Sequence, residues 1–285
     1  MGGANRTTTN EPTNLRRDDF CCEIQGRGGP GPGPCLALTP MALGELLNRQ
    51  GVKSLYIIAP NYAAGQDMVA GIERSYTGEI VGKDMTTWPA QIDWAAELSK
   101  VKAAQPDGVF IFYPGAHGPA FIKQYQQAGL QGVVPLYTVY PIDSLSLPRF
   151  QQAEMDLVLG TSMTQFWAPD LDNAQNKRFV ADFRAKYGSY PSFYAAQSYD
   201  TIFLIKSAID ATGGNVDDVD ALRAALEKAD FASVRGDFRF GNNHFPIQNF
   251  YERVVVVDAD GNWTTSVREA VLVDHQDIFA KDCNM

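Results

Sequence analysis

Between residues 41 and 164 short apolar runs alternate with amphipathic stretches, and no other feature limits the fold as much. SLYIIA (54–59), GVFIFY (108–113) and VVPLYTVY (133–140) read as buried strands, with EIVGKDMT (79–86) and DLVLGTSMT (156–164) as two more. The intervening segments read as helices. MALGELLNRQ (41–50) puts Met41, Leu43, Leu46 and Leu47 on one face and ends at Gly51; DMVAGIERSY (67–76) follows. Next come a helix opened by Pro89 that runs through IDWAAELSKVKAAQ, and AFIKQYQQAG, capped by Gly129. Strands that read as continuous apolar runs are buried on both faces. Alternation with helices therefore predicts a parallel sheet covered on both sides, with right-handed, doubly wound connections.

After residue 164 the pattern changes. Asn173–Tyr187, Pro191–Thr212 and Val216–Ala229 read as three helices, with Pro191 in a first helical turn. DFRF and FYERVVVVDADGNWTTSV then read as a strand and a hairpin turning at Asp260-Gly261, and the polar tail as a short helix. Three amphipathic helices with almost no sheet of their own need a surface to pack on. Residues 1–40, with GGANRTTTNEPTN and GRGGPGPGP, show no hydrophobic period and read as non-globular.

Charge and cysteine content exclude several functions. The net charge is −9 over 285 residues, with lysines and arginines scattered, which argues against a nucleic-acid partner. No run reaches the ~18 apolar residues of a membrane span, so the chain is not membrane-spanning. The first 40 residues contain no apolar signal-peptide core; read literally, the chain stays in the cytoplasm. Cys21, Cys22, Cys35 and Cys283 match no zinc spacing. They are free thiols, or Cys283 pairs with the N-terminal segment in an oxidising compartment.

In open parallel sheets ligands bind beyond the carboxyl ends of the strands. Three such ends carry unusual residues: Pro60-Asn61-Tyr62, the loop from Tyr113 to Pro119, and Tyr137-Thr138-Val139-Tyr140. Gly115 and Gly118 allow close backbone approach and positive φ, and the helix that follows offers free N–H groups and a positive dipole end. That suits a carboxylate, and His117 could add a donor. The plainer reading is a tight strand-to-helix turn. Tyr62, Tyr113, Tyr137 and Tyr140 supply aromatic faces for a ring-bearing ligand. No H-E-x-x-H, phosphate-binding loop, G-x-S-x-G or dinucleotide fingerprint is present, so no enzyme is predicted and no cofactor or metal is implied. Asp84, Asp93 and Asp107 read as caps or solvated charges.

IIAPNYAAGQDMVAGI, TTWPAQIDWAAELSKVKAAQPDGVFIFYPGAHGPAFIKQYQQAGL, YAAQSYDTIFLIKSAI and FGNNHFPIQNFYERVVVVDADG together resemble type I periplasmic binding proteins. The likeness is to the branched-chain-amino-acid type, the extracytoplasmic substrate-binding component of ABC transporters, and it runs from about residue 41 to the C-terminus. NYAAGQD and NNHFPIQNFY look most like members that bind aromatic acids. The resemblance implies an α/β fold of two doubly wound three-layer lobes, with the first lobe incomplete. Residues 41–163 with 245–272 would form the second lobe, 164–244 the helical half of the first, and 273–285 a tail. Residues 1–40 do not resemble the family, which points to an unrelated or out-of-frame stretch ahead of Met41.

The resemblance further implies a monomer in the periplasm, a small organic acid as ligand and ABC permease subunits as partners. It places ligand contacts at Asn61, Tyr62 and Ala64, at Tyr113, Gly115, Ala116 and His117, and at Tyr137, Thr138 and Tyr140. Relatives selective for aliphatic amino acids carry a carboxylate where this chain has Tyr140, which favours a ligand without an ammonium group. The family's C-terminal cysteine usually pairs with one in the first lobe, leaving Cys283 without its proper partner. Alternatives are a truncated, non-functional fragment, a ligand-sensing domain of the same fold, or a small hydrolase acting through His117 or Asp200.

Overall fold

The computed structural model describes residues 37–282, and the elements follow from alternation within each strand. Strands β1 (Ser54–Pro60), β2 (Glu79–Thr86), β3 (Gly108–Ile111), β4 (Leu136–Thr138) and β5 (Ser162–Gln165) run parallel in the order β2-β1-β3-β4-β5. Tyr56, Ile58, Val109 and Ile111 point to one face. There they meet α3 (Ala95–Ala104), α4 (His117–Gln127) and α5 (Leu147–Gln152) through Leu98, Val101, Phe121, Tyr125 and Phe150. Leu55, Ile57, Ala59, Phe110 and Tyr137 point to the other face. They meet α1 (Leu38–Arg49) and α2 (Ala63–Ser75) through Leu43, Leu46, Leu47, Met68 and Ile72. The three-layer arrangement is the one expected for strands buried on both sides.

The sheet closes with an antiparallel hairpin. β7 (Pro246–Val257) pairs with β5, and β8 (Trp263–His275) pairs with β7. Asp258 Oδ1 accepts the Asp260 and Asn262 N–H groups in the turn. β6 (Arg239–Phe240) is a two-residue edge beside β7. Helices α6 (Ala174–Tyr187), α7 (Phe193–Ala211) and α8 (Val219–Lys228) lie between β5 and β6 in the chain. α6 and α7 rest on the second side of α1, where Leu38, Met41 and Ala42 pack with Phe166, Trp167, Phe179, Phe193 and Phe250, and α8 packs on α7. The outer sides of these helices are less covered. α8 buries no residue, and Ile202 and Ile205 of α7 are 64% and 44% exposed.

Four expectations are corrected. The helix ahead of β1 begins at Leu38 rather than Met41, because Pro40 fits a first turn where its missing N–H has no intrahelical role. Residues 37–40 therefore belong to the folded chain; residues 1–36 and all four cysteines lie outside the described residues. Pro89 opens no helix. α3 starts at Ala95, whose N–H is taken by Asp93 Oδ1 at 3.0 Å, after the buried Trp94. Residues 156–164 are not one strand but a 3-10 turn (Asp156–Val158) and then β5, separated by Gly160 at φ +75°. Pro191 precedes α7 rather than entering it; Ser192 is the N-cap, its hydroxyl accepting the Ala195 N–H at 3.2 Å. Asp84, Asp93 and Asp107 all have local partners. Asp84 pairs with Lys100, and Asp107 accepts the Lys53 and Ser54 N–H groups.

A buried ion pair fastens α7 to the chain ahead of β6. Asp200 and Arg235 meet at 2.8 Å with side chains 2% and 7% exposed, and Asp200 also accepts from the Ser233 hydroxyl and the Val234 N–H. Arg235 Nη1 reaches Gln248 of β7. Asp200 thus has a structural task. Asp200→Ala leaves a buried cation unpaired, and a loss of about 3–5 kcal/mol is expected in urea unfolding. A second buried acid behaves oppositely. Asp67 of α2 is 7% exposed, Oδ1 has no partner, and burial pushes its carboxyl up to about 6. The native state then holds this proton more firmly than the unfolded chain does, so stability declines as pH rises from about 4 to 6. Asp67→Asn is expected to flatten that decline and to raise stability at pH 7 by about 1–2 kcal/mol. Urea midpoints measured across this pH range check both.

Candidate ligand cavity

The carboxyl ends of β1, β3, β4 and β5 open onto one cavity of about 740 Å³. Each loop brings a different part of its wall. Tyr62, Ala64 and Met68 come from the start of α2. Phe112, Pro114, Gly115, Ala116 and Pro119 come from the passage into α4. Tyr140, Pro141, Asp143, Leu145, Ser146 and Arg149 follow β4, and Phe166 follows β5. The first turns of α7 close a further side with Phe193, Tyr194 and Gln197. A cavity of this size, lined mainly by apolar and aromatic side chains with a few polar groups, has the dimensions and make-up of a small-molecule site.

Of the residues expected at the site, Tyr62, Ala64, Gly115, Ala116 and Tyr140 line the cavity. Tyr62 stacks on Trp88, ring centroids 5.1 Å apart. Tyr140 meets Phe112 and Phe193 edge to face, and its hydroxyl lies 3.1 Å from Thr39 Oγ1; loss of water pushes that hydroxyl up to about 12. The others stand behind the wall or beside it. Tyr113 is 1% exposed, between Trp94 and Phe121, with its hydroxyl 2.7 Å from Thr86 Oγ1. Tyr137 points into the core on the α1 and α2 face, and Thr138 donates to Ile111 O. Asn61 ties its loop to β2 through Thr86 O and accepts from Gln66. His117 turns outward, its Nε2 donating to Pro89 O at 3.0 Å and its ring against Trp88. Gly115 takes φ +60°, as expected. Gly118 instead gives close approach to protein: a Cβ there would lie 2.7 Å from Tyr113 O and 2.8 Å from Pro141 Cβ.

The electrostatics of the cavity are uneven. α2 and α4 begin at it, at Tyr62 and Ala116, and neither start has a side-chain cap. Their first N–H groups and dipole ends favour an anion. Arg149 of α5, exposed, adds a cation to the lining. Opposed to these is Asp143, 3% exposed: Oδ1 accepts the Leu145 N–H, Oδ2 is shielded from solvent without a close donor, and the Phe193 and Ser144 N–H groups also favour the charged form. Burial holds its carboxyl above the usual carboxylate range against the opposing pull of Arg253. Arg253 of β7 is 1% exposed behind Phe193, with Nε and Nη2 unpartnered.

Asp143, Arg149, Phe166, Phe193, Tyr194 and Gln197 were not anticipated. Asp143 lies three positions past the last tyrosine considered, in YPIDSLS, and Arg253 interrupts the apolar run FYERVVVV. A charge inside an apolar stretch, Asp143 alone in one and Arg253 beside Glu252 in the other, was the available signal. Among the described residues no group of three or more His, Cys, Asp or Glu could hold a metal, and no helix is long and apolar enough to cross a membrane.

Known proteins share this arrangement. Leu/Ile/Val-binding protein homolog 6 of Brucella abortus is 28% identical over 226 residues, 75% of this chain and 56% of its own length. The chain thus spans little more than half of the curated relatives it matches. A solute-binding protein of an ABC transporter from R. palustris, solved in complex with benzoate, is 30% identical with a TM-score of 0.73, over 84% of this chain and 64% of that one. Another, from Rhodopseudomonas palustris BisB5 in complex with 3,4-dihydroxybenzoic acid, is 28% identical with a TM-score of 0.75, over 85% and 66%. The family model described as periplasmic binding protein matches residues 37–262, and the chain belongs to that family.

Proposed function

We propose that this chain is the solute-binding component of an ABC importer, non-catalytic and periplasmic. It holds a small aromatic carboxylate in the cavity and presents it to permease subunits. One observation carries the reading: an aromatic-walled cavity at the strand ends onto which two uncapped helix N-termini open, with Arg149 in the wall. The rings of Phe112, Tyr140, Phe166 and Phe193 match a ring in the ligand, and the helix starts match its carboxylate. The relatives solved with benzoate and 3,4-dihydroxybenzoic acid support the same ligand class.

The reading includes the wider architecture. Residues 41–163 with 245–272 form one lobe, and 164–244 are the helical half of a second. The bare flanks of α7 and α8 support a further layer packing on them.

Calorimetric titration of benzoate into the chain is expected to show saturable one-to-one binding and a matching rise in melting temperature. Ala64→Trp, which fills the cavity, abolishes the binding, and Arg149→Glu weakens it about tenfold at low salt. Absence of saturable binding by any aromatic acid overturns the reading.

A further inference from the structure

A second cavity, of about 250 Å³, lies at the opposite edge of the sheet, where β4 and β5 begin. These two strands pair only at Thr138 and Met163, so their starts part, and Leu136, Tyr137 and Ser162 border the gap. Tyr137 is 8% exposed, and its ring packs in the core over Gly108, where a Cβ would collide with it. Its hydroxyl has no hydrogen-bond partner among the described residues. Nor is that oxygen sealed off, as Trp94 Nε1 and Asp143 Oδ2 are; the little surface left to this tyrosine opens on the second cavity. Hydroxyls on buried side chains are nearly always paired, so the partner of this one belongs to the contents of the cavity.

The lining narrows the charge of that partner. Gln50, Gln131, Thr161 and Ser162 supply the other polar side chains, and no charged residue is among them. An anion is disfavoured, because the Glu252 and Asp107 carboxylates act on the Tyr137 hydroxyl through space; burial first, and then these two charges, push that hydroxyl up. A cation is disfavoured as well. Glu252 stands behind the wall, its Oε1 already accepting from Gln50 Nε2 at 3.2 Å and from the Ser162 hydroxyl at 2.6 Å. A cation would therefore give up its water with no lining carboxylate to meet. What remains is an uncharged molecule that both donates and accepts, with Tyr125, Leu136, Leu157 and Leu159 giving its other end apolar contact. We propose that this cavity is a second binding site, for small uncharged carboxamides, with the Tyr137 hydroxyl as the anchoring group. A carboxamide offers a donor and an acceptor together, and the hydroxyl and the two glutamine side chains offer the matching pair. The site lies across the sheet from the first cavity, and it does not depend on the aromatic-acid reading.

The test is an NMR titration of the whole, isotope-labelled chain at pH 7 with isobutyramide, isobutyrate and isobutylamine, which are close in shape and differ in charge. Each is run with and without excess benzoate. Isobutyramide is expected to bind saturably, to shift the amide signals of residues 131–137 and 157–162, and to bind equally well when benzoate is present. The two charged analogues bind at least ~10-fold more weakly, because neither finds a counter-charge in the lining. Tyr137→Phe removes the hydroxyl and keeps the ring; it weakens isobutyramide about fivefold. Gln131→Trp, a change at an exposed lining position, blocks it, and this comparison does not depend on a core substitution. No saturable shift with isobutyramide overturns the inference, as do displacement by benzoate, equal binding of either charged analogue, or full affinity in Tyr137→Phe. None of these results bears on the aromatic-acid reading, which stands or falls on the binding of aromatic acids alone.

Discussion

The parallel sheet has two apolar faces, and everything else in the described chain depends on covering both. Strand alternation sends Tyr56, Ile58 and Ile111 one way and Ile57, Ala59 and Phe110 the other, so neither face can be left to water. α1 is the element that extends this rule to the second half of the chain. It is buried on nearly every side, which marks a helix shared between layers rather than a surface helix. One side holds the sheet through Leu43, Leu46 and Leu47, and another holds α6 and α7 through Leu38, Met41 and Ala42. The Thr164 hydroxyl, donating to Thr39 O at 2.8 Å, ties the start of α1 to β5. The cavity wall contributed by α7 depends on this helix as much as on the strand ends.

The location of the cavity follows from connectivity. When successive parallel strands are linked by helices, every strand ends on the same edge and every following helix begins there. The side chains of that edge then share one space with the positive ends of several helix dipoles. Here α2 and α4 reach it without side-chain caps, so their first N–H groups are left to solvent or to a ligand. By contrast α6, whose start is not part of the cavity lining, is capped by Asn173, which takes the Asn176 N–H at 2.7 Å. Capping alone does not mark the site, since α7 also begins at the cavity and is capped by Ser192, while the N-cap residues of α1 and α3 provide no side-chain cap and lie outside the lining.

Periodicity made the sheet, the helices and their order legible, because those features are set by burial within ten or so neighbouring residues. The starts of α1 and α3 were not legible, since Pro40 and Pro89 look alike as local signals and only tertiary packing distinguishes them. The site was half legible. Tyr62, Gly115 and Tyr140 follow from the position of strand ends. Tyr113 and Tyr137 have the same composition and context, but a shift of one or two residues along a strand turns a side chain from the edge into the core. Phe166, Phe193 and Tyr194 come from elements distant in the chain, and no local pattern could have joined them to the β4 loop.

Two buried acid–base pairs in this chain show how structure and function separate. Asp200 and Arg235 form a completed network: direct contact at 2.8 Å, donors from Ser233 and Val234, an acceptor in Gln248, and neither residue in the cavity wall. Such a pair offsets its own desolvation and fixes one arrangement of the chain. Asp143 and Arg253 are equally buried but leave oxygen and nitrogen atoms without partners, and Asp143 is part of the cavity lining. On stability alone, apolar residues in both places would serve better, because unpaired buried charge is a net cost. A chain that satisfies one pair so fully has the means to satisfy the other.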